Sequence, residues 1–321
     1  MTQSPSNSSL RVAARLAVGV ALDLAKISGF GRDMVDGLLL VAISQANVAL
    51  ITRDPELQRT YATLDRPPPD DLRRPVSINA VAGSLRLPYE TTRRRVAALV
   101  KAGVLQSTPR GLILPLAPLN SAFYHMAAEA NYELLRTLYF RLRKIGLLSD
   151  LVRPNAPPFD PGHPPIRLVI RLSADYILRL VDQLNQYLGD LVSGLVFLDV
   201  FQANTEHLAD TEGGDDGNEW HEEDFVPDTD RRPVRAADIA RRLSIAHETV
   251  RRHLIRLVAQ GRCERSDDGY WVSSHILASD PLLDIVLANQ SNLQRLFAAL
   301  AEAGVLSEWE RQDFDRRGTS L

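Results

Sequence analysis

The chain has 321 residues, a hydrophobic fraction of 45% and a formal net charge of −3. This length suits two domains of ordinary size, and the apolar content is sufficient for packed cores. The single cysteine, Cys263, excludes a disulfide framework and a cysteine-based zinc site, so we expect a small core residue there. The apolar stretches near the N-terminus are short and are interrupted by Asp23 and Asp36, which predicts a cytoplasmic protein without a membrane span.

The acidic residues are concentrated in one segment. Eleven lie between Glu206 and Asp230, with no Lys or Arg among them, so the rest of the chain carries a formal charge of +8. A tract of this composition is typical of a flexible linker, because it cannot bury a core. It could also compete with DNA for basic surfaces elsewhere in the chain.

The chain contains an internal duplication with an offset of 158 residues. Arg73-Arg74-Pro75-Val76 recurs as Arg231-Arg232-Pro233-Val234, and the register continues without a gap as far as Ser149 and Ser307. A repeat this long indicates a duplicated domain rather than a solenoid unit of roughly 20–50 residues. We therefore divide the chain into a disordered tail (1–9), a first repeat (10–150), a Pro-rich linker (151–165) and a second repeat (166–312).

Both repeats show the same predicted order of elements. Helical spacing of Leu16, Val20 and Leu24 begins the first repeat, and Gly29-Phe30-Gly31 ends that helix. Gly103 and Gly261 each end the most strongly periodic helix, and a hairpin follows it. The other predicted segments are helices 33–51, 174–187 and 190–208, flexible linkers 66–71 and 206–230, extension-plus-helix segments 76–85 and 234–243, and closing helices 121–145 and 281–303.

The most strongly periodic helix carries the pattern that points to a function. In the second repeat Val250, Leu254 and Leu257 share one face and must pack inward, which turns Arg251 and Arg252 outward near the helix N-terminus. Arginine can pair with guanine through two hydrogen bonds, and glutamate can accept one from cytosine. The candidate DNA-contacting residues are Tyr89, Glu90, Thr91, Arg93, Arg94 and the hairpin residue Arg110 in the first repeat, and His247, Glu248, Thr249, Arg251 and Arg252 in the second.

An arginine pair on a helix can also be no more than a solvated face. Both repeats, however, retain Glu-Thr-x-Arg-Arg while many neighbouring positions differ, and packing alone does not require this. The comparison favours a functional surface on this helix.

The segments 85–96 and 243–254 resemble the turn and recognition helix of winged helix-turn-helix transcriptional regulators of the MarR and GntR types. The resemblance covers about 45 residues in each repeat. It implies a mainly α fold with small β wings, in which two tandem winged helix-turn-helix modules (about 73–115 and 231–273) are flanked by helices and related by a pseudo-two-fold axis. This chain departs from the family pattern by covalent duplication. It also has Asp267 and Asp268 at the second wing tip, where they would repel phosphate.

From these observations we expect a sequence-specific regulator of transcription that binds double-stranded DNA as a monomeric pseudo-dimer. Its two half-sites should lie about 34–36 Å apart. They should form an imperfect palindrome, because the helices differ at Tyr89/His247 and at Arg95/His253. Two alternatives stay open, a winged-helix scaffold that docks acidic protein surfaces and a plasmid replication initiator that binds repeated DNA.

The sequence contains no pattern for catalysis. It lacks a glycine-rich phosphate loop, a zinc-protease helix motif and an elbow serine motif, so we predict no enzyme and no cofactor. The histidines and acids of the acidic tract lack a recurring ligand spacing, which favours a solvated linker over a metal site. These residues are His207, His221, Glu222, Glu223 and Asp224.

Polar residues recur inside otherwise apolar helices. Gln45 and Asn47 are repeated as Gln202 and Asn204, and Asn131 is repeated as Asn289. They could line an effector pocket, or they could form hydrogen bonds between helices that fix the helix register. We favour the hydrogen-bonding interpretation, and the sequence does not identify a small-molecule effector.

Overall fold

The computed structural model describes residues 6–148, 150–152, 154, 156–208, 220 and 222–318. Over these residues the chain is mainly helical, with two small antiparallel sheets of two strands each, β1–β2 and β3–β4. No helix in this part of the chain is long and apolar enough to cross a membrane. The elements are α1 (Asn7–Ser28), α2 (Met34–Asn47), α3 (Ala49–Arg53), α4 (Pro55–Thr60), α5 (Ile78–Leu85), α6 (Tyr89–Lys101), β1 (Gln106–Thr108), β2 (Gly111–Ile113), α7 (Leu116–Leu119), α8 (Ala122–Lys144), α9 (Ile166–Leu188), α10 (Leu191–Thr205), α11 (Ala236–Leu243), α12 (His247–Ala259), β3 (Glu264–Arg265), β4 (Tyr270–Trp271), α13 (Ser274–Leu277), α14 (Asp280–Glu302) and α15 (Val305–Gly318).

Four long helices, α1, α8, α9 and α14, build the centre of the molecule. α1 packs against α2 and α8 of its own repeat and against α10 and α14 of the second. α9 makes the corresponding contacts, with α10 and α14 of its own repeat and with α2 and α8 of the first. The two repeats therefore share one continuous hydrophobic core.

The apolar side chains predicted to form the first helical stripe explain the central position of α1. Leu16, Val20 and Leu24 are buried, and the small residues Ala17 and Ala21 beside them are buried as well. Burying one large aliphatic side chain stabilises the fold by about 1.5–3 kcal/mol, so such stripes supply much of the driving force for helix association.

Each repeat also carries a smaller unit of two short helices and a hairpin. α5 packs on α6 and α2, and α11 packs on α12 and α10. An extended residue just before the first short helix bridges to the second hairpin strand, Val76 to Leu112 and Val234 to Tyr270. The same order of elements and the same bridge therefore occur twice.

A buried asparagine at the end of α2 or α10 holds each hairpin in place. The Asn47 amide donates to the carbonyl oxygens of Arg74 (2.7 Å) and Leu112 (3.0 Å), and its Oδ1 accepts from the backbone N–H of Leu114 (2.8 Å). The hydrogen-bonding interpretation is confirmed for Asn47, but the expected partner is wrong, because these bonds reach the hairpin and the segment before α5 rather than another helix. Asn204 makes the equivalent bonds at 2.8, 3.2 and 3.0 Å, to Arg232, Tyr270 and Val272. The interpretation is not confirmed for Gln202, whose Oε1 is buried without a partner among the described residues.

Asn131 and Asn289 do bond to a neighbouring helix, as predicted. Both side chains accept a hydrogen bond from α9, Asn131 from the Ser173 hydroxyl (3.3 Å) and Asn289 from the Tyr176 hydroxyl (2.8 Å). These bonds tie α9 to the closing helix of each repeat.

The predicted disordered tail and the predicted helix 33–51 both need correction. Ser6 caps α1 by accepting from the N–H of Ser9 (3.1 Å), and residues 7–9 are buried helix. The Ser9 hydroxyl also bonds to the carbonyl oxygen of Ile145 (3.1 Å), which anchors this end in the core. Residues 1–5 lie outside the described part.

The predicted helix from 33 to 51 is interrupted at Val48, directly after Asn47, whose side chain bonds to the hairpin.

The two predicted flexible linkers are folded where they meet the short units. Residues 70–72 and 228–230 each form a single 3-10 turn, and Phe225 is buried against Trp220 with ring centroids 5.5 Å apart. A buried arginine follows each turn, Arg73 or Arg231, and donates a hydrogen bond to the carbonyl oxygen two residues before the turn, that of Pro68 or Val226, which holds the segment folded. Residues 209–219 and 221 lie outside the described part.

The second repeat also extends past its predicted end at residue 312, since α15 continues to Gly318.

Candidate nucleic-acid interface

A tight turn sets the direction of α6 and of α12. α5 and α11 end at a residue in the left-handed conformation, Arg86 (φ 48°) and Ser244 (φ 55°). The following N–H, of Leu87 or Ile245, reaches back to a carbonyl oxygen inside the preceding helix at 3.0 or 3.1 Å. Three residues therefore separate the helices, and the next helix starts at Tyr89 or His247.

α6 and α12 show the same pattern of burial along their whole length. Both have 13 residues, and corresponding positions of the two helices are alike in being buried, half-buried or exposed. The predicted inward face is buried, as Val96 and Leu99 in α6 and Leu254 and Leu257 in α12 show. Among the predicted contact residues, Thr91 and Thr249 are half-buried, and the exposed ones are Tyr89, Glu90, Arg93, Arg94, Arg110, His247, Glu248, Arg251 and Arg252.

The first arginine of each pair is bonded to the glutamate one turn earlier. The Nε of Arg93 donates to Glu90 (2.9 Å), and Arg251 donates to both carboxylate oxygens of Glu248 (2.8 Å each). The hydrogen bond from Arg251 lowers the pKa of Glu248, so this carboxylate is charged at neutral pH. Exposed pairs of this kind contribute little to stability, so the guanidinium can exchange to another acceptor.

The second arginine of each pair, Arg94 or Arg252, is exposed, and no salt bridge joins it to any residue that the structure describes. The helix N-terminus next to it has no side-chain cap, since Pro88 and Ala246 occupy the N-cap positions. Uncapped N–H groups at a helix N-terminus favour anions such as phosphate. Both features place positive potential at the same end of the helix.

Arg95 and His253 do not belong to this exposed surface, which corrects one reason given for unequal half-sites. The Nη1 of Arg95 binds Asp33 and Asp36 at the start of α2, both at 2.7 Å. Burial opposes the charge of Arg95, but the bonds to these two carboxylates raise its pKa. His253 is attached to the start of α10 in the same way, with its Nδ1 2.9 Å from the Ser193 hydroxyl.

The two hairpin tips differ in charge. Arg110 is exposed at the first tip, where its N–H bonds to the Thr108 hydroxyl (3.3 Å) and that hydroxyl donates to the carbonyl oxygen of Gly111 (2.8 Å). The second tip has exposed Asp267 and Asp268. The first hairpin therefore has a cation at its tip, whereas the exposed arginine of the second hairpin, Arg265, lies on β3 over the Tyr270 ring.

Sequence reasoning missed two exposed cations on α11. Arg235 stands at its N-cap position, where α5 has the capping residue Ser77, and Arg241 is 76% exposed at the position of Gly83. The difference is visible in the sequence, since Arg235 and Arg241 fall on Ser77 and Gly83 of the first repeat. The second unit therefore gains positive charge on its first helix while it loses charge at the hairpin tip.

The lone thiol and the candidate metal ligands of the acidic tract have structural surroundings that account for them. Cys263 is buried in the core, as predicted, and burial raises the pKa of its thiol to about 12. His207 lies near the Asp230 carbonyl oxygen (Nε2 to O, 3.1 Å), and the Glu222 carboxylate accepts from the Ser274 hydroxyl (2.8 Å). No group of three or more potential metal ligands occurs in the described ranges. His221 lies outside them.

Comparison of the chain with models of protein families, with curated proteins and with solved structures finds no match in any of the three.

Proposed function

We propose that the protein is a sequence-specific double-stranded DNA-binding regulator of transcription, with α6 and α12 as its recognition helices. In this proposal the two short units are tandem winged helix-turn-helix modules related by a pseudo-two-fold axis. One observation carries the proposal: two copies of the same unit bury the same face of a 13-residue helix and expose an arginine pair near its N-terminus.

The chemistry of this surface suits a DNA groove. An α-helix fits the major groove, where a guanidinium can bond to O6 and N7 of guanine. Glu90 and Glu248 would release Arg93 and Arg251 to a base acceptor, because exposed ion pairs of this kind are weak. Arg94, Arg252 and the uncapped helix N-termini would contact phosphates and set the position of each helix.

The differences between the units favour an imperfect palindrome. The recognition helices begin with Tyr89 and His247, and the hairpin tips carry Arg110 in one unit and two aspartates in the other. If both helices enter one face of the duplex, the half-sites lie about 34–36 Å apart. One chain would then bind as a pseudo-dimer, because each polypeptide brings both helices.

Fluorescence anisotropy tests the proposal with a labelled duplex that carries a sequence selected for binding to the full chain. Arg93→Ala and Arg251→Ala should each weaken binding to a specific site by about 1–3 kcal/mol, and replacing all four paired arginines should also reduce the salt dependence. A variant with Arg53→Ala and Arg143→Ala, two exposed arginines on other helices, is the control. Equal affinity of the four-fold variant and the control variant would refute the assignment and favour a protein-docking scaffold.

A further inference from the structure

A cavity of about 300 Å³ lies between α1, α10 and the segment 225–231, away from the proposed DNA-binding surface. Most of its wall is apolar, including Val12, Phe201 and Phe225. Three arginines, Arg11, Arg15 and Arg231, also line it. The cavity therefore combines a hydrocarbon wall with three guanidinium groups.

Two buried polar groups of this wall lack a hydrogen-bond partner in the described structure. The Arg231 side chain is 2% exposed; its Nε donates to Asp228 (3.1 Å) and its Nη2 to the Val226 carbonyl oxygen (2.9 Å), but its Nη1 has no acceptor. The hydroxyl of Thr205 is also buried without a partner. A buried donor left unpaired costs about 1–3 kcal/mol, so both groups would gain from a ligand that accepts hydrogen bonds.

The first repeat supplies an internal comparison. The residue equivalent to Arg231 is Arg73, and its Nη1 donates to the carbonyl oxygen of Leu114 at 2.6 Å. The corresponding space there is only about 40 Å³, and it is lined by Arg73 together with Arg167 and Arg171, which stand at the positions of Arg11 and Arg15. The three arginines therefore recur in both repeats, and the larger cavity and the unpaired guanidinium nitrogen distinguish the second repeat.

The three arginines of the cavity already have polar partners, which limits the charge left for a ligand. Arg15 donates to the carbonyl oxygens of Thr205 (3.3 Å) and Leu208 (3.4 Å), and Arg11 donates to that of Asp224. Burial, together with the nearby charge of Arg15, lowers the pKa of Arg11, and burial also lowers that of Arg231. The lining has one carboxylate, that of Asp230, but Asp228 pairs with Arg231 and Asp224 lies near Arg11 just outside the lining. An anion is therefore favoured by the unpaired Nη1 of Arg231 rather than by an excess of positive charge.

We propose that this cavity binds a small organic acid, with its carboxylate at Arg231 and Thr205 and its apolar body against Val12, Phe201 and Phe225. The volume stands at the lower end of the roughly 300–1,000 Å³ that is usual for small-molecule sites, so the ligand is a compact acid. The inference does not depend on DNA binding.

Hexanoate, its neutral analogue hexanamide and inorganic phosphate test the proposal by calorimetric titration of the full chain. Hexanoate should bind saturably, and hexanamide and phosphate at least tenfold more weakly, since the site needs both the charge and the apolar body. Because Trp220 packs against Phe225, hexanoate should also change tryptophan fluorescence, and Trp220→Phe should abolish that change. Equal affinity for the acid and the amide, tighter binding of phosphate, or no saturation by hexanoate at millimolar concentration would overturn the proposal.

Two variants locate the bound acid without removing the most buried arginine. Arg15→Gln removes one charge, and Val286→Phe fills the cavity from a half-buried position on α14. Both should weaken hexanoate binding at least tenfold. Arg179→Gln is the matched control, because Arg179 is 33% exposed on α9 and lies outside the cavity. Wild-type affinity in both test variants would show that hexanoate binds elsewhere and would overturn the assignment.

Discussion

At the scale of single residues, two positions in each repeat fix the hairpin beside the paired helices. Gly111 and Gly269 have φ values of 131° and 146°, and a Cβ at either would lie 2.6 Å from the carbonyl oxygen of the bridging valine. Only glycine permits this approach. Asn47 and Asn204 then bond to three backbone groups each, so the hairpin cannot shift without leaving buried polar groups unpaired.

Removing either asparagine side chain should therefore destabilise the fold. We expect Asn47→Ala and Asn204→Ala each to lower the free energy of unfolding by about 1–3 kcal/mol, because buried backbone groups lose their partners. Urea unfolding followed by circular dichroism measures this. Gln45→Ala, at a half-buried position two residues before Asn47, is the control. If the asparagine variants unfold at the same urea concentration as the control, the account of the hairpin is wrong.

His253 should make stability depend on pH in a way that Arg95 does not. Burial lowers the pKa of His253 below its ordinary value of 6.5, and the attraction of Asp190 offsets this only in part, while Arg252 and Arg256 add to the lowering. Protonation thus favours the unfolded chain. The stabilisation is complete above about pH 6.5 and decreases as the pH falls through the lowered pKa.

Unfolding free energies of the wild type and of His253→Gln, measured between pH 7.5 and 5, test this prediction. The wild type should lose more stability on acidification than the variant, and the other histidines cancel in the difference. Parallel curves for the two proteins would contradict the assignment.

At the scale of elements, local periodicity was sufficient to predict the buried faces of α6 and α12, but not the contacts that these helices make with neighbouring elements. The spacing of Val96 and Leu99 identifies the buried face and thereby the exposed arginine pair. The inward direction of Arg95 depends on carboxylates at the start of α2, about sixty residues earlier in sequence, which a helical pattern does not encode. The folded ends of the polar linkers escaped prediction because the bonds of the adjacent Arg73 and Arg231, and the bond from the distant Ser274 to Asp228, produce no periodic pattern.

The folded end of the acidic tract also determines which acidic residues can be replaced without damage to the fold of the second unit. Asp228 bonds to Arg231 and to the N–H of Ser274, so deletion through residue 228 would damage the second unit. Neutralising only the five acidic residues of 210–219 to amides should tighten DNA binding at low salt, because like charges near the duplex repel it.

Anisotropy at two salt concentrations measures this effect. The control neutralises five exposed acidic residues elsewhere and has the same net charge. Equal tightening in both variants would show a general effect of net charge, and unchanged affinity would remove the competition hypothesis altogether. The control positions are Asp71, Glu129, Asp182, Asp284 and Glu302.

At the scale of the whole molecule, the duplication is evident in the sequence, but the packing contacts between the two repeats are not. Trp309, fully buried on α15, packs against Tyr132 and Tyr139 of α8 with ring centroids 5.5 and 5.8 Å apart. The Asn185 amide bonds to the carbonyl oxygen of Leu85 at 3.1 Å. These contacts join residues about 100 to 180 positions apart, and local patterns contain no information about such pairs.

A shared core predicts that neither repeat folds alone. Residues 1–165 and 166–321, expressed separately, should show no cooperative urea transition, because α1 and α9 would each expose the faces that now contact the other repeat. Co-expression should yield a complex that unfolds cooperatively. A cooperative transition of the isolated first repeat at the midpoint of the intact chain would contradict the shared core.

The most direct test of the central claim is selection of bound duplexes from a random library with the full chain at near-physiological salt. The account predicts enrichment of one motif with two unequal half-sites separated by about one helical turn, roughly 34–36 Å between centres. Recovery of random sequences only, or of none, would contradict the proposal that α6 and α12 read DNA.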